Sequence, residues 1–195
     1  MPLFSYHIAT TMNARARGFF KEHVATRKPA VFCRKEIDLE NIIYKVWSNQ
    51  ELRERSGEDT IRCEIRDDVN TGGYGRGLEM ELSFNQFLDR IESGDESIYL
   101  TTQELQYTLE DEPLLLSSPV CGLRQDFSMS PELMGNLVLQ NVNLWMGNST
   151  QPSTSGLHHD YHDNLYVLLR GRKTFHLYSY EDIDSLYPAG EVCVS

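Results

Sequence analysis

Paired cysteines, long apolar runs and excess positive charge are all missing from this sequence. Without a C-x-x-C pair, neither a zinc finger nor a small disulfide scaffold is expected. No apolar run approaches the ~20 residues of a membrane-spanning helix. The start of the chain lacks the basic and apolar segments of a secretory signal. These absences predict a cytoplasmic or nuclear protein with reduced thiols. The four cysteines are Cys33, Cys63, Cys121 and Cys193.

The charge of the chain limits its partners. There are 29 acidic and 18 basic side chains, so the formal net charge is −11. Nucleic acids and anionic membranes attract excess positive charge, so we expect no direct binding to either. A basic protein segment stays possible as a partner. The simpler interpretation is that the acidity only keeps the protein soluble.

The sequence predicts helices first and strands last. A length of 195 residues with 40% hydrophobic residues fits one domain over residues 1–195. The glycine-rich segment at 67–77 lacks the strand-then-helix frame of a phosphate-binding loop, so we expect a surface loop. Helical spacing and capping signals predict helices at 13–28, after Asp38, at 49–55 and from the Ser83–Gln86 capping box to Gly94. Apolar runs and alternation predict strands at 29–33, 60–66 and 98–100, and β-structure from 137 onward. The fold class is therefore α+β with a mainly β core.

The segment from His158 to Lys173 reads H-H-D-Y-H-D-N-L-Y-V-L-L-R-G-R-K. On an extended strand, side chains two apart point to the same face, so His158 and Asp160 would lie side by side. One imidazole and one carboxylate are two of the three ligands of a facial iron(II) site, which leaves other positions open for a co-substrate and dioxygen. The third ligand would be a distal histidine. The last histidine of this sequence is His176.

Residues 164–178 have the pattern of a β-hairpin that turns at Arg170-Gly171. In that register Lys173 shares a face with Asn164, Tyr166 and Phe175. A lysine on such a partly apolar face needs a counter-charge or access to water. A dicarboxylic co-substrate would supply the counter-charge.

Simpler interpretations exist for each of these residues. A lone His-x-Asp often lies on a surface strand, and a lysine after a glycine turn is usually solvated. His158 and His162 could form a helical zinc pair, but the glutamate of an H-E-x-x-H motif is absent. The combination of His158, Asp160 and Lys173 at these offsets is what favours the iron site.

The segment T-S-G-L-H-H-D-Y-H-D-N-L-Y-V-L-L-R-G-R-K-T-F-H-L-Y-S resembles the core of JmjC-type, cupin-like oxygenases that depend on iron(II) and 2-oxoglutarate. It is most similar to the small protein-hydroxylase branch. The resemblance extends more weakly through L-W-M-G, I-Y-L-T-T-Q, S-F-N-Q-F-L and K-P-A-V-F. It implies a double-stranded β-helix, which is a jelly-roll barrel with the metal between its sheets.

The resemblance also implies a role for each matching residue. His158 and Asp160 would bind iron(II), and Lys173 would bind the distal carboxylate of 2-oxoglutarate. Ser155 and Tyr99 match hydroxyl-bearing positions that contact the same carboxylate, and Asn164 would line the same pocket. The implied reaction converts 2-oxoglutarate to succinate and carbon dioxide while a C–H bond of a protein or peptide is hydroxylated.

One departure from the family pattern affects the function. Family members have a second histidine several dozen residues beyond the lysine, on a later barrel strand. We therefore expect this chain to be the front part of a longer domain, with an incomplete barrel. Histone lysine demethylation by the same chemistry and a non-catalytic cupin-like interaction domain stay open as alternatives. The sequence does not identify the substrate or the oligomeric state.

Overall fold

Among the residues that the structure describes, the main regular elements are six short strands and four α-helices. The computed structural model describes residues 14–32, 42, 43, 45–66 and 78–186. The α-helices are α1 (Ala14–Phe19), α2 (Asn49–Ser56), α3 (Phe84–Glu92) and α4 (Ile183–Leu186). The strands are β1 (Thr60–Ile65), β2 (Leu78–Ser83), β3 (Ile98–Leu100), β4 (Gln106–Tyr107), β5 (Pro113–Leu114) and β6 (Met146–Gly147). A π-helix covers Phe20–Val24, and 3-10 helices cover Val120–Asp126, Glu132–Met134 and Tyr180–Asp182.

The main sheet has the strand order β2-β1-β3-β6, and every neighbouring pair is antiparallel. Alternation along β1 directs Ile61 and Cys63 into the core, where both are fully buried. Burial raises the pKa of the Cys63 thiol to about 12, so it stays protonated at neutral pH. In the cross-strand register Cys63 pairs with Leu100, and Glu64 pairs with Tyr99. Tyr99 therefore points to the sheet face opposite the core.

Helix α3 covers the core face of this sheet. Its apolar side chains recur at helical spacing, and Phe84, Phe87 and Leu88 are completely buried. The Ser83 hydroxyl accepts a hydrogen bond from the Gln86 backbone N–H at 3.2 Å, and the Ser83 N–H donates to the Gln86 side chain at 2.9 Å. This capping box fixes where the helix begins. The sequence prediction of α3 is confirmed.

A polar network joins α2 to the 3-10 helix at Val120–Asp126. The Trp47 indole N–H donates to the Asp126 carboxylate at 2.6 Å, and Arg55 pairs with the same carboxylate. The Arg55 Nε donates to the Gly122 carbonyl at 3.1 Å. Burial alone would raise the pKa of Asp126. The bonds from Trp47 and Arg55 outweigh that effect, so the pKa lies below its usual value.

The predicted helix after Asp38 is wrong over the residues that the structure describes. Residues 42, 43 and 45–48 are not helical, and the rest of that prediction lies outside the described residues. Ile43 forms a β-bridge with Phe127, and Trp47 is held by Asp126. These tertiary contacts override the helical spacing of the apolar residues.

One predicted strand, at 29–33, is wrong over the described residues, and the β-structure predicted from 137 onward is much shorter than predicted. Residues 29–32 are described and form no strand, whereas Cys33 lies outside the described residues. Val31 is 95% exposed, so this apolar run has no core to enter. Between residues 137 and 147 the only strand is β6. Val142 makes an isolated bridge to Leu116, and the other residues of this range are irregular. Strand formation depends on neighbours that the local sequence does not specify.

The predictions of α2, β1 and β3 are confirmed, and the predicted helix at 13–28 is confirmed over α1 and the π-helix. The glycine-rich segment at 67–77 lies outside the described residues. Two units make up the chain, residues 1–154 and residues 155–195. The single domain over 1–195 stays a prediction. Among the described residues no helix is long and apolar enough to cross a membrane.

Candidate metal centre

His158 and Asp160 lie next to each other, as the two-residue spacing predicted. The distance from His158 Nε2 to Asp160 Oδ1 is 3.8 Å, which is too long for a hydrogen bond. Both side chains are more than half exposed, so a metal ion could reach them from solvent. The two atoms that face each other are an imidazole nitrogen and a carboxylate oxygen. Divalent transition metals bind both kinds of atom as ligands.

The other polar atoms of this pair are already hydrogen-bonded. His158 Nδ1 lies 3.0 Å from the Gly156 carbonyl oxygen, two residues earlier. Asp160 Oδ2 accepts a hydrogen bond from the Asn164 side-chain amide at 2.7 Å. One possible metal-binding atom of each side chain, His158 Nε2 and Asp160 Oδ1, therefore faces the other.

Lys173 lies beside an aromatic pair. Its ammonium is 5.7 Å from the centroid of the Phe175 ring, within the range of a cation–π contact. The Phe175 ring meets the Tyr166 ring edge to face, with centroids 5.0 Å apart. Partial burial raises the pKa of the Tyr166 phenol. Lys173, Phe175 and Tyr166 are therefore neighbours, as their predicted position on one face implies.

The remaining predicted site residues lie on different segments. Ser155 is exposed and begins the second unit, three residues before His158. Asn164 is exposed and bonds to Asp160. Tyr99 lies on β3 in the first unit, where its ring covers the backbone of Gly147 on β6. The contacts of Tyr99, Ser155, Asn164 and Lys173 with a co-substrate stay predictions.

The hairpin predicted at 164–178 is not formed as regular strands. The structure describes all of these residues and assigns them no β-strand, although Gly171 has the positive φ of +83° that a tight turn needs. An isolated hairpin is marginal without a third strand, and this stretch is mostly exposed. Residues 158–162 are not helical either, so the helical zinc pair of His158 and His162 is wrong.

The residues present fit part of an iron(II) site. His158 and Asp160 would supply two protein ligands of the facial set. In the part of the chain that the structure describes, no group of three His, Cys, Asp or Glu side chains could hold a metal ion. The ligand roles of His158 and Asp160 stay predictions.

Gly156 and the Asn164–Asp160 bond were not identified from the sequence. Gly156 supplies the carbonyl that His158 contacts, but a glycine two residues before a histidine is not a recognisable motif. Asn164 follows Asp160 by four residues, a separation that indicates contact only on a helix. Neither contact could be found without the backbone path of this loop.

Comparison with known proteins shows the family. The cupin-like domain family matches residues 16–193. "JmjC domain-containing protein 4" of Schizosaccharomyces pombe is 36% identical over 189 residues, which cover 90% of this chain and 39% of that protein. "Lysine-specific demethylase JMJ30" of Arabidopsis thaliana is 30% identical over 146 residues, which cover 74% of this chain and 32% of that protein. No solved structure matches the chain.

The antiparallel sheet fits a cupin-type protein, and the His-x-Asp pair is a candidate for part of a metal centre. The chain belongs to the cupin-like domain family and has JmjC-domain proteins among its relatives. The predicted α+β fold is confirmed as an incomplete jelly roll, because the described strands form an open four-stranded sheet and a two-stranded sheet, β4-β5, and no closed barrel. The chain spans less than half the length of these relatives.

Proposed function

We propose that this chain carries the metal-binding pair and the co-substrate lysine of a JmjC-type oxygenase that hydroxylates a protein side chain. JmjC proteins in general depend on iron(II) and 2-oxoglutarate, and the chain belongs to that family. The observation that carries the proposal is the 3.8 Å approach of His158 Nε2 to Asp160 Oδ1. Lys173 follows at the offset that the family resemblance implies.

His158 and Asp160 would hold the iron(II), and a later histidine would complete the set in the whole protein. Bound iron would supply the dioxygen chemistry that converts 2-oxoglutarate to succinate and carbon dioxide and places one oxygen atom in a C–H bond. The protein contributes position, because it holds the target carbon close and excludes competing reactions.

Lys173 would bind the distal carboxylate of 2-oxoglutarate. An ammonium pairs with a carboxylate through charge-assisted hydrogen bonds, which are stronger than neutral ones. The Phe175 ring lies beside the ammonium, with its centroid 5.7 Å from Lys173 Nζ. Hydroxyl groups of Ser155 and Tyr99 would add further donors.

The substrate would be a protein or peptide segment with basic residues. The net charge of −11 attracts such segments and repels nucleic acids. Electrostatic attraction of this kind mainly speeds association and weakens with salt. A peptide series that differs only in lysine content, compared at two salt concentrations, would test this choice.

Succinate formation tests the enzyme function directly. The whole protein should form succinate when iron(II), 2-oxoglutarate and dioxygen are supplied, and Asp160→Ala should abolish it. Asp163→Ala changes a neighbouring exposed carboxylate and serves as the matched control. Retained activity in Asp160→Ala would refute the ligand role of Asp160. No turnover by a whole protein that has the distal histidine would refute the enzyme function.

Lysine demethylation is a second candidate with the same chemistry. One relative carries the name of a lysine-specific demethylase, and the chain is 30% identical to it. Mass spectrometry of the reacted peptide separates the two outcomes. Hydroxylation adds one oxygen atom, whereas demethylation removes a methyl group and releases formaldehyde.

A non-catalytic interaction domain is a third candidate from a different class. The partial metal site among the described residues favours it. Sequencing the transcript past the codon for Ser195 decides between the classes. An open frame that reaches a histidine in further β-rich sequence supports the oxygenase, and a stop codon at that point favours the interaction domain.

A further inference from the structure

The protonation of the His158 ring follows from one hydrogen bond. Its Nδ1 lies 3.0 Å from the Gly156 carbonyl oxygen, and a carbonyl oxygen can only accept. Nδ1 therefore carries the proton in this arrangement. In the neutral ring, the lone pair then lies on Nε2, which is the atom 3.8 Å from Asp160 Oδ1. This Nδ1–H tautomer is the neutral form in which Nε2 can bind a metal ion.

The acceptor of this hydrogen bond is the backbone carbonyl of Gly156. The φ of Gly156 is +73°, in the left-handed region that side chains other than glycine rarely adopt. The space beside its Cα is open, so the glycine is needed for the conformation and not for lack of room. The glycine therefore sets the direction in which the chain enters residues 156–158, and its carbonyl oxygen accepts from the ring of His158.

Asn164 does for Asp160 what Gly156 does for His158. Its amide donates to Asp160 Oδ2 at 2.7 Å and leaves Oδ1 on the side of the histidine. The amide is neutral, so it orients the carboxylate without neutralising the charge that attracts a cation. A lysine or arginine at this position would instead compete with a metal ion for the carboxylate.

We propose that Gly156 and Asn164 are positioning residues that orient the two metal ligands before a metal ion binds. This inference rests on the proposed function, and it gives Asn164 a role behind Asp160 in place of a contact with the co-substrate. Partners behind a metal ligand typically change metal affinity by about 10- to 100-fold. The effect should therefore be large in metal binding alone, without 2-oxoglutarate.

Cobalt(II) titration of the full 195-residue chain tests the role of Asn164. Asn164→Leu keeps the size of the side chain and removes the donor, so its Kd for cobalt(II) should rise by about 10- to 100-fold. Asn164→Gln restores the amide and should recover part of the affinity. Asn141→Leu makes the same exchange at another exposed asparagine and should leave the Kd unchanged.

The outcomes separate this inference from the proposed function. Site-dependent cobalt(II) binding, lost in Asp160→Ala but unchanged in Asn164→Leu, overturns the positioning role alone. If Asn164→Leu weakens only 2-oxoglutarate binding to the cobalt-loaded chain, Asn164 is a co-substrate contact and the inference is wrong. Cobalt(II) binding that survives Asp160→Ala overturns both. No cobalt(II) binding to the unaltered chain overturns the inference that the two ligands are oriented for a metal ion in this chain.

The ring of His158 gives a readout that needs no metal. Nitrogen NMR of the unaltered metal-free chain, at a pH where the imidazole is neutral, should show the proton on Nδ1. A ring that is mainly Nε2–H in the unaltered chain would overturn the positioning role of the Gly156 carbonyl.

Discussion

At the scale of single residues, the charge on Lys173 has a specific consequence for ligand binding. Its ammonium lies near the Phe175 ring. Lys173 is separated in sequence from His158 and Asp160, and the proposed site assigns it to the co-substrate and not to the metal. A hydrogen bond to a charged group contributes about 1.5–3 kcal/mol. Lys173→Ala should therefore weaken 2-oxoglutarate binding by about 10- to 100-fold and leave cobalt(II) binding nearly unchanged.

Two titrations check the prediction for Lys173. Cobalt(II) is titrated first into the metal-free chain, and 2-oxoglutarate is then titrated into the cobalt-loaded chain. Arg172→Ala removes the neighbouring exposed cation and should affect neither affinity. If Lys173→Ala weakens both ligands equally, the residue has a structural role.

The charge of the Asp126 carboxylate should contribute to the free energy of unfolding. Asp126 accepts from Trp47 at 2.6 Å and pairs with Arg55, and its side chain is 19% exposed. Asp126→Asn removes the charge and should lower the free energy of unfolding by about 2 kcal/mol, the size of a hydrogen bond to a charged group. Urea unfolding measures it. Asp89→Asn alters an exposed pair with Arg53 and should cost much less.

The contribution of Asp126 should disappear in acid. Its folded pKa is lowered, so the unfolded state binds the proton more readily and the charged form stabilises the fold above the unfolded pKa of about 3.9. Stability is then lost as the pH falls from about 4 through the folded pKa. The gap between the unaltered chain and Asp126→Asn should shrink over that range. A gap that is constant from neutral pH to well below pH 4 would contradict this account.

At the scale of elements, the pairing of β3 with β6 depends on a glycine. A Cβ at Gly147 would lie 2.6 Å from Tyr99 Cδ2, closer than carbon atoms can approach. Gly147→Ala should force the ring or the strand to move and destabilise the chain by about 1–3 kcal/mol. Gly18→Ala, in the open on α1, should be neutral or slightly stabilising. Thermal unfolding of both variants checks the prediction, and equal stability would contradict it.

Elements with local signals could be predicted from the sequence. Helix α3 has a capping box and a helical apolar stripe, and β1 alternates strictly, so both were predicted to within a few residues. Segments whose structure depends on distant partners could not. Ile43 bridges Phe127, and the apolar residues at 137–145 lack neighbouring strands to pair with. Apolar residues alone do not decide between strand and irregular structure.

The candidate site also combines features that the local sequence predicts with features that it does not predict. The two-residue spacing of His158 and Asp160 is local, and it correctly predicted their proximity. The hydrogen bond to the Gly156 carbonyl and the one from the Asn164 amide depend on the path of the loop. A sequence pattern specifies neither of these. The spacing of residues therefore predicts which side chains could be ligands, while the backbone decides how they are oriented.

At the scale of the whole molecule, burial differs between the two units. The first unit contains a sheet and α3, with core residues such as Phe87 and Leu100 fully buried. In the second unit the described residues are mostly exposed, and Leu177 and Tyr178 are more than half exposed. Exposed backbone with few buried apolar contacts opens at low free energy. The two units should therefore differ in hydrogen exchange.

Hydrogen exchange followed by mass spectrometry of the full chain measures that difference. Amides of α3, β1 and β3 should exchange slowly, because their opening requires the sheet and its core to unfold. Amides at 157–178 should exchange orders of magnitude faster, since no strand pairing protects them. Cobalt(II) should slow exchange at 156–164 more than at 165–178 if the metal binds the oriented pair. Protection of 157–178 equal to that of α3 without metal would show that this segment is held by contacts comparable to those of the sheet.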